Sequence, residues 1–189
     1  IDSVALDKQD IHYLYSLTQD SSIQLTLFDE EHYFVVGETP SPIVVRDTGY
    51  VFTSPTEISL EEAVSGKYTM FQAMFLAEKE TVDFFEEKYA SDICQHFSGV
   101  RSQDVIYEVM PAGVTKAFAL ERLAQKLNIK VEEIMALGDA NNDLEMLKFA
   151  GLGIAMGNAS DYVKSLADNV TDSNDENGVA KAIEKYLLN

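Results

Sequence analysis

From residue 112 onward, the chain alternates helical patterns with short apolar runs. Apolar side chains recur at helical spacing over 116–127, directly behind Thr115, a residue type that favours helix N-caps. Apolar runs at 134–137 and 152–156 are bounded by glycine, and a helical pattern over 144–149 separates them. Such an alternation predicts parallel strands covered on both faces. Further predicted elements are a helix ending near 166, a strand over 169–170 and a helix over 179–188.

The first hundred residues show a different pattern, typical of an α+β domain. Predicted strands, in which apolar and polar residues alternate, lie over 23–28, 33–36 and 107–110. Predicted helices lie over 8–18, 60–64 and 80–89. The stretch 37–49 contains Pro and Gly and predicts a loop with one strand over 43–45. Predicted core residues are Phe71, Met74, Phe75, Phe84 and Phe85.

The change of pattern near residues 107–113 predicts a domain boundary. We therefore expect an α+β domain over residues 1–107 and an α/β domain over residues 108–189. A chain of 189 residues with 46% hydrophobic residues can bury the core of one large domain or two small ones.

The chain is strongly acidic, with 14 basic and 32 acidic residues and a formal net charge of -18. This charge repels phosphate backbones and anionic lipids, so neither nucleic acid nor a membrane is an expected partner. Solubility alone accounts for most of such a charge, which therefore does not identify a function. No apolar run has the roughly 18 residues needed to span a bilayer, and the first residues lack signal-peptide features.

Cysteine and histidine usage argues against a disulfide framework and against a zinc motif. Cys94 is the single cysteine, and the histidines, His12, His32 and His96, are widely separated in the sequence. We therefore expect a cytoplasmic protein.

The segment 138–143 carries the most informative chemistry, because an apolar strand runs directly into polar side chains. Ligands bind outside the carboxyl ends of parallel strands, and Asp139 stands one residue beyond such an end. Its carboxylate is a hard oxygen donor suited to Mg²⁺. Asn142 can donate an amide hydrogen bond to a phosphoryl oxygen at the start of the next helix. Asp143 can orient a water molecule or a lysine.

Two alternatives apply to this segment. Asp and Asn are common in turns and at helix N-caps, so Asp139, Asn142 and Asp143 need have no further role. The spacing of Asp139, Asn141 and Asp143 also matches the opening of an EF-hand loop. However, Leu144 stands where that loop requires glycine, and Ala150 where it requires glutamate.

Lys116 favours a functional interpretation. A cation in the first turn of a helix opposes the helix dipole, at a cost of about 0.3–1 kcal/mol. A solvated surface lysine is the alternative. If Lys116 faces the same crevice as Asp139, its ammonium group can neutralise phosphate charge and keep a nucleophilic carboxylate ionised.

These residues fall in motifs that resemble the haloacid dehalogenase superfamily, specifically its Cof-type branch with a type IIB cap. The resemblance is carried by Met110-Pro-Ala-Gly-Val-Thr-Lys116, Gly138-Asp-Ala-Asn-Asn-Asp143, Gly153-Ile-Ala-Met-Gly-Asn-Ala159, Ala167-Asp-Asn-Val-Thr171 and Glu176-Asn-Gly-Val-Ala180. It is strong from Tyr107 to Asn189 and weaker before. It implies the C-terminal half of a Rossmann-like parallel-sheet core, preceded by an α+β cap that determines substrate specificity.

The resemblance also implies an activity and roles for residues. It implies Mg²⁺-dependent hydrolysis of small phosphorylated metabolites, such as sugar phosphates, through an aspartyl-phosphate. Lys116 would stabilise the nucleophile and the phosphate, and Asp139 would bind Mg²⁺. Asn142 would contact the phosphoryl group, and Asp143 would support Lys116 or the metal.

The chain departs from the family pattern in one respect. The two family motifs that precede the cap carry the nucleophile, the general acid/base and a Ser or Thr, and neither occurs here. We therefore expect an N-terminally truncated, inactive chain whose strand at 134–137 exposes an edge through which two copies can dimerise. A non-catalytic ligand-binding remnant and a phosphomutase or phosphotransferase with the same chemistry remain alternatives.

Overall fold

A computed structural model describes residues 3–188, and the chain divides into two compact units between Val114 and Thr115. The predicted boundary after residue 107 falls inside the last strand of the first unit. That strand, Ile106–Pro111, pairs with strands of the first unit on both sides. Because of this pairing, residues 108–111 belong to the first unit rather than to the second.

The first unit is an α+β structure. Its helices are α1 (Lys8–Ser16), α2 (Pro42–Tyr50), α3 (Leu60–Ala63) and α4 (Lys79–His96). Its strands are β1 (Gln24–Phe28), β2 (Tyr33–Val36), β3 (Pro55–Ile58), β4 (Gln72–Leu76), β5 (Phe97–Gln103) and β6 (Ile106–Pro111). The strand order is β3-β2-β1-β4-β6-β5, and every pair is antiparallel except β2 with β3.

Alternation along the strands divides the buried residues of this sheet into two clusters. On one face, Phe34, Phe75 and Tyr107 pack with apolar residues of α1, α3 and α4. On the other face, Val35 and Met74 belong to a smaller cluster with residues of α2. Both faces of the sheet therefore carry a core, and aromatic residues belong to both, with Tyr33 in the smaller one.

Two expectations for this unit were wrong. Residues 43–45 are helical rather than a strand, because Ser41 accepts a hydrogen bond from the Val44 N–H and Pro42 occupies the first helical turn. Phe84 is 49% exposed, whereas its neighbour Phe85 is fully buried. Adjacent residues of a helix point in different directions, so only one of the two phenylalanines faces the sheet.

The second unit is the predicted α/β structure, and the prediction of a parallel sheet is confirmed. Its helices are α5 (Lys116–Leu127), α6 (Leu144–Phe149), α7 (Asp161–Leu166) and α8 (Gly178–Leu187). Its strands are β7 (Met135–Gly138), β8 (Leu152–Ala155) and β9 (Asn169–Val170), which pair in this order and are parallel. Within residues 3–188, β7 is an edge strand of this sheet.

The core of the second unit is built from small side chains, including Ala136, Ala155 and Ala159 packed with Leu147 and Val163. This close packing brings α6 against the sheet and sets where the loops after β7 and β8 emerge. None of the helices over residues 3–188 combines the length and the apolar character required to cross a membrane.

Candidate active site

A cavity of about 470 Å³ lies in the second unit, beside the carboxyl ends of β7 and β8. Polar residues lining it are Lys116, Asp139, Asp143, Asn158 and Asn174, and apolar residues lining it are Leu137, Met146, Met156 and Val179. Parallel strands end at the same edge of a sheet, which is why the loops after β7 and β8 both reach this cavity. The cavity therefore occupies the position at which α/β sheets bind ligands.

Asp143 is the most constrained residue of the site. Its Oδ1 lies 2.5 Å from the Lys116 Nζ. Its Oδ2 accepts the backbone N–H groups of Asp139 at 2.9 Å and of Ala140 at 3.2 Å. The side chain is only 6% exposed. Both carboxylate oxygens are thus occupied, and Asp143 acts on its neighbours rather than presenting a free ligand.

Gly138 makes this arrangement sterically feasible. A Cβ atom on Gly138 would lie 2.8 Å from the Asp143 Cγ and 2.9 Å from its Oδ2. Real Cβ atoms do not approach other side chains so closely, because packed interiors leave no such overlap. Glycine at the end of β7 therefore leaves the space that the Asp143 carboxylate occupies beside the backbone of residues 138–140.

Lys116 begins helix α5 and has a half-exposed side chain. Thr115 caps α5 by accepting a hydrogen bond from the Phe118 N–H at 3.2 Å, so Lys116 begins the helix. The Lys116 side chain is 52% exposed, although its ammonium contacts the buried Asp143. The pairing offsets the unfavourable position of the cation in the first turn. It also holds a positive charge at the wall of the cavity.

Asp139 is held from a second loop. Its Oδ2 accepts a hydrogen bond from the Asn158 Nδ2 at 2.8 Å, and the Asn158 Oδ1 accepts the backbone N–H of Asn174 at 3.2 Å. Neither Asn158 nor Asn174 was among the predicted site residues. A signal for Asn158 was available, because it lies in the loop that follows the carboxyl end of β8, as Asp139 lies in the loop that follows β7.

Asn142 is the predicted site residue that does not line the cavity. Its Oδ1 is buried and has no hydrogen-bond partner among the described residues. The structure thus gathers Lys116, Asp139 and Asp143 around one space and leaves Asn142 beside it. The phosphoryl contact expected of Asn142 stays a prediction.

The donor set suits an open magnesium site better than a closed zinc site. Over residues 3–188, no three His, Cys, Asp or Glu side chains come together as a metal cluster. Asp139 contributes one carboxylate, and no described residue bonds to its Oδ1. Mg²⁺ is commonly held by one or two carboxylates, with phosphate and water completing its octahedron, whereas structural zinc requires four protein ligands. Asp139 can therefore supply one ligand to Mg²⁺, and the remaining ligands would come from outside the described residues.

The Lys116–Asp143 ion pair makes the stability of the fold depend on pH. Burial raises the pKa of the Asp143 carboxyl, but the Lys116 hydrogen bond, the N–H groups of Asp139 and Ala140 and the Lys116 charge outweigh it, so this pKa lies below its usual 3.8. A carboxyl with a depressed pKa stabilises the fold above its unfolded-state pKa, and the contribution is lost as pH falls through the folded-state pKa.

We therefore expect wild type to be more stable than Asp143→Asn by a constant margin from neutral pH down to about pH 4, and by a shrinking margin below it. Urea unfolding of both proteins, followed through NMR signals of the second unit, measures this margin at neutral pH, pH ~5 and pH ~3. A margin that stays unchanged at the lowest pH would contradict a depressed pKa at Asp143.

Comparisons with known proteins agree with the motifs. A family model described as haloacid dehalogenase-like hydrolase matches residues 1–183. The putative phosphatase YxeH of Bacillus subtilis is 30% identical over 188 residues, which cover 100% of this chain and 69% of YxeH. The 5-amino-6-(5-phospho-D-ribitylamino)uracil phosphatase YcsE of the same species is 53% identical over 81 residues, covering 43% of this chain and 32% of YcsE.

A solved structure gives the same result at the level of the fold. The chain is similar to BT4131, described as a sugar phosphatase of subclass IIB, with a TM-score of 0.78 and 25% identity over 96% of this chain and 67% of that one. The chain thus spans about two thirds of YxeH and BT4131 and about one third of YcsE. The resemblance seen in the motifs is confirmed, and the chain belongs to the haloacid dehalogenase-like hydrolase family.

Proposed function

We propose that the protein acts as a Mg²⁺-dependent phosphatase of small phosphorylated metabolites such as sugar phosphates. The observation that carries the proposal is the Lys116–Asp143 ion pair beside Asp139 in one cavity at the ends of parallel strands. The descriptions of BT4131 as a sugar phosphatase and of YcsE as a phosphatase support the same class of reaction. The formal net charge of -18 argues against a nucleic acid or an anionic membrane as the partner.

Phosphoryl transfer needs positioning and charge neutralisation more than covalent assistance. Lys116 would neutralise negative charge on the phosphoryl oxygens, and Asp143 would hold the ammonium in place. Asp139 would bind Mg²⁺, which supplies Lewis-acid stabilisation when present. Asn142 would contact the phosphoryl group, after its amide turns towards the cavity.

The nucleophile is a separate part of the proposal. Both oxygens of Asp143 are occupied, and Asp139 is assigned to the metal. Because the two family motifs that carry the nucleophilic aspartate and the general acid/base do not occur in this sequence, we propose, by analogy with the family, that these groups lie in a segment outside these 189 residues. The aspartate would attack phosphorus as the ester bond to the leaving alcohol breaks, and the general acid would protonate that alcohol. Water, giving a proton to the same group, would then hydrolyse the aspartyl-phosphate to free phosphate. The chain by itself would be inactive.

The first unit would act as the cap that selects the substrate, which its position ahead of the motif-bearing unit supports by analogy with the family. β7 has one unpaired edge among the described residues, and this edge would offer pairing to a further strand, either from such a segment or from a second copy of the chain.

The test is phosphatase turnover of the protein isolated from its native gene, with intact mass measured on the same sample. Sugar phosphates would be assayed in Mg²⁺ and in EDTA, with a second sugar present as acceptor in parallel reactions. Turnover that requires Mg²⁺, yields free phosphate and is lost in Asp139→Asn and Lys116→Ala supports the proposal. The exposed Lys148→Ala is the matched control.

Other outcomes would redirect the assignment. Transfer to the second sugar would indicate a phosphomutase or phosphotransferase. A mass equal to that of this chain without turnover would support a ligand-binding remnant. Turnover by the 189-residue chain alone would overturn the assignment of the nucleophile to another segment.

A further inference from the structure

Asn158 joins Asp139 to the loop that follows β9. Its Nδ2 donates to the Asp139 Oδ2 at 2.8 Å, and its Oδ1 accepts the Asn174 backbone N–H at 3.2 Å. A backbone N–H can only donate, so the amide atom facing Asn174 must be the oxygen, and the amide nitrogen must face Asp139. Two contacts of opposite polarity thus fix the orientation of the Asn158 amide.

The loop carrying Asn174 is itself packed closely on the loop carrying Asn158. The Gly157 N–H donates to the Asp172 carbonyl at 3.0 Å, and the Gly178 N–H donates to the Ser173 carbonyl at 2.9 Å. A Cβ atom on Gly157 would lie 2.6 Å from the Ser173 backbone nitrogen. The backbone of this loop therefore has little freedom, and the Asn174 N–H is held where Asn158 meets it.

We propose that Asn158 is a positioning residue for Asp139. Asn158 occupies one Asp139 oxygen, and no described residue bonds to the other, Oδ1, which is left for the cation. A carboxylate already held in one orientation loses less freedom on binding a metal. The loop at 172–178 thereby raises metal affinity through Asn158. This inference rests on the proposed function, because it takes Asp139 to be the ligand of a divalent cation.

Metal binding by the 189-residue chain tests the inference without any turnover. The probes are Mn²⁺ alone, followed by electron paramagnetic resonance, and Mg²⁺ alone, followed by the NMR signals of the 139–140 amides. Asn158→Ala is expected to weaken affinity by about 10-fold or more, the usual effect of losing a partner of a metal ligand. The exposed Asn169→Ala in β9 is the matched control and is expected to bind as wild type does.

A second pair of variants isolates the backbone contact. Asn174→Pro removes the N–H that fixes Asn158. Ser173, with φ -68° and ψ 167°, suits the residue before a proline, and position 174 begins a helical turn, where proline is tolerated. Asn174→Ala keeps the N–H and serves as the reference. We expect Asn174→Pro to bind the metal about 10-fold more weakly than Asn174→Ala.

The outcomes separate this inference from the proposed function. If Asp139→Asn binds like wild type, the metal assignment fails, and the inference fails with it. If Asp139→Asn loses binding while Asn158→Ala and Asn174→Pro retain wild-type affinity, only the positioning role is overturned. A lower unfolding temperature without metal, combined with unchanged affinity of the folded protein, would also overturn it, because that is the result of a purely structural contact. If Asn158→Ala does not fold, the comparison of Asn174→Pro with Asn174→Ala still tests the positioning role.

Discussion

Gly138→Ala is expected to lower the free energy of unfolding of the second unit by about 3 kcal/mol, the upper end of the usual cost of overpacking. The added methyl would lie 2.8 Å from the Asp143 Cγ and 2.9 Å from its Oδ2, with the residue buried at the end of β7. The strand is held by its ladder with β8, so the Asp143 side chain must move instead. Its displacement would break the hydrogen bonds to Asp139 and Ala140 and release Lys116.

Urea unfolding followed through NMR signals of the second unit measures this loss. The control is Gly49→Ala in α2, where nothing lies within 4 Å of the added Cβ. Alanine favours a helix over glycine by about 1 kcal/mol, so the control is expected to stabilise the first unit slightly. Equal stability of wild type and Gly138→Ala would mean that Asp143 is not seated against position 138.

Asp143→Ala is expected to lower the free energy of unfolding of the second unit by about 2 kcal/mol. The substitution leaves the partly buried N–H groups of Asp139 and Ala140 without their acceptor and removes the partner of Lys116. Because the Lys116 side chain is half-exposed, its ammonium can regain water, which keeps the loss below that of a fully buried ion pair. For the proposed phosphatase activity, the consequence would be an ammonium no longer fixed beside the phosphoryl group.

Asp143→Asn separates the contribution of the two backbone hydrogen bonds from that of the ion pair with Lys116. The amide oxygen can still accept the two backbone N–H groups, so its loss is expected to be about 1 kcal/mol, most of it from the ion pair. The exposed Glu145→Ala in α6 serves as the control for removing a carboxylate near the same helix start. If Asp143→Ala and Glu145→Ala have equal stabilities, the hydrogen bonds to Asp143 contribute nothing.

The second unit was predictable because its sequence signals are local. Glycine-bounded apolar runs gave β7 and β8, and Thr115 gave the start of α5. The strand β5 was not predicted, because Phe97–Gln103 contains few apolar residues and is defined by its pairing with β6. The residues 43–45 were misassigned because their apolar run resembles a strand, whereas the cap at Ser41 favours a helix.

The candidate site was predictable only in part, because some of its residues carry local sequence signals and others are placed by contacts between distant parts of the chain. Lys116, Asp139 and Asp143 stand next to recognisable element ends. Asn158 meets the Asn174 N–H 16 residues later in the sequence, through the close approach of two loops at Gly157. A contact of that kind depends on how loop backbones pack together, which residue types and spacing alone do not report.

The close approach of Gly138 to Asp143 also has an evolutionary consequence. The two positions are sterically coupled, because the absence of a side chain at position 138 leaves room for the carboxylate at position 143. A lineage that gains a side chain at position 138 must abandon or relocate that carboxylate, and with it the fixed lysine. Substitutions at positions 138 and 143 are therefore constrained jointly. A side chain at position 138 becomes neutral only after the role of the Asp143 carboxylate has been lost.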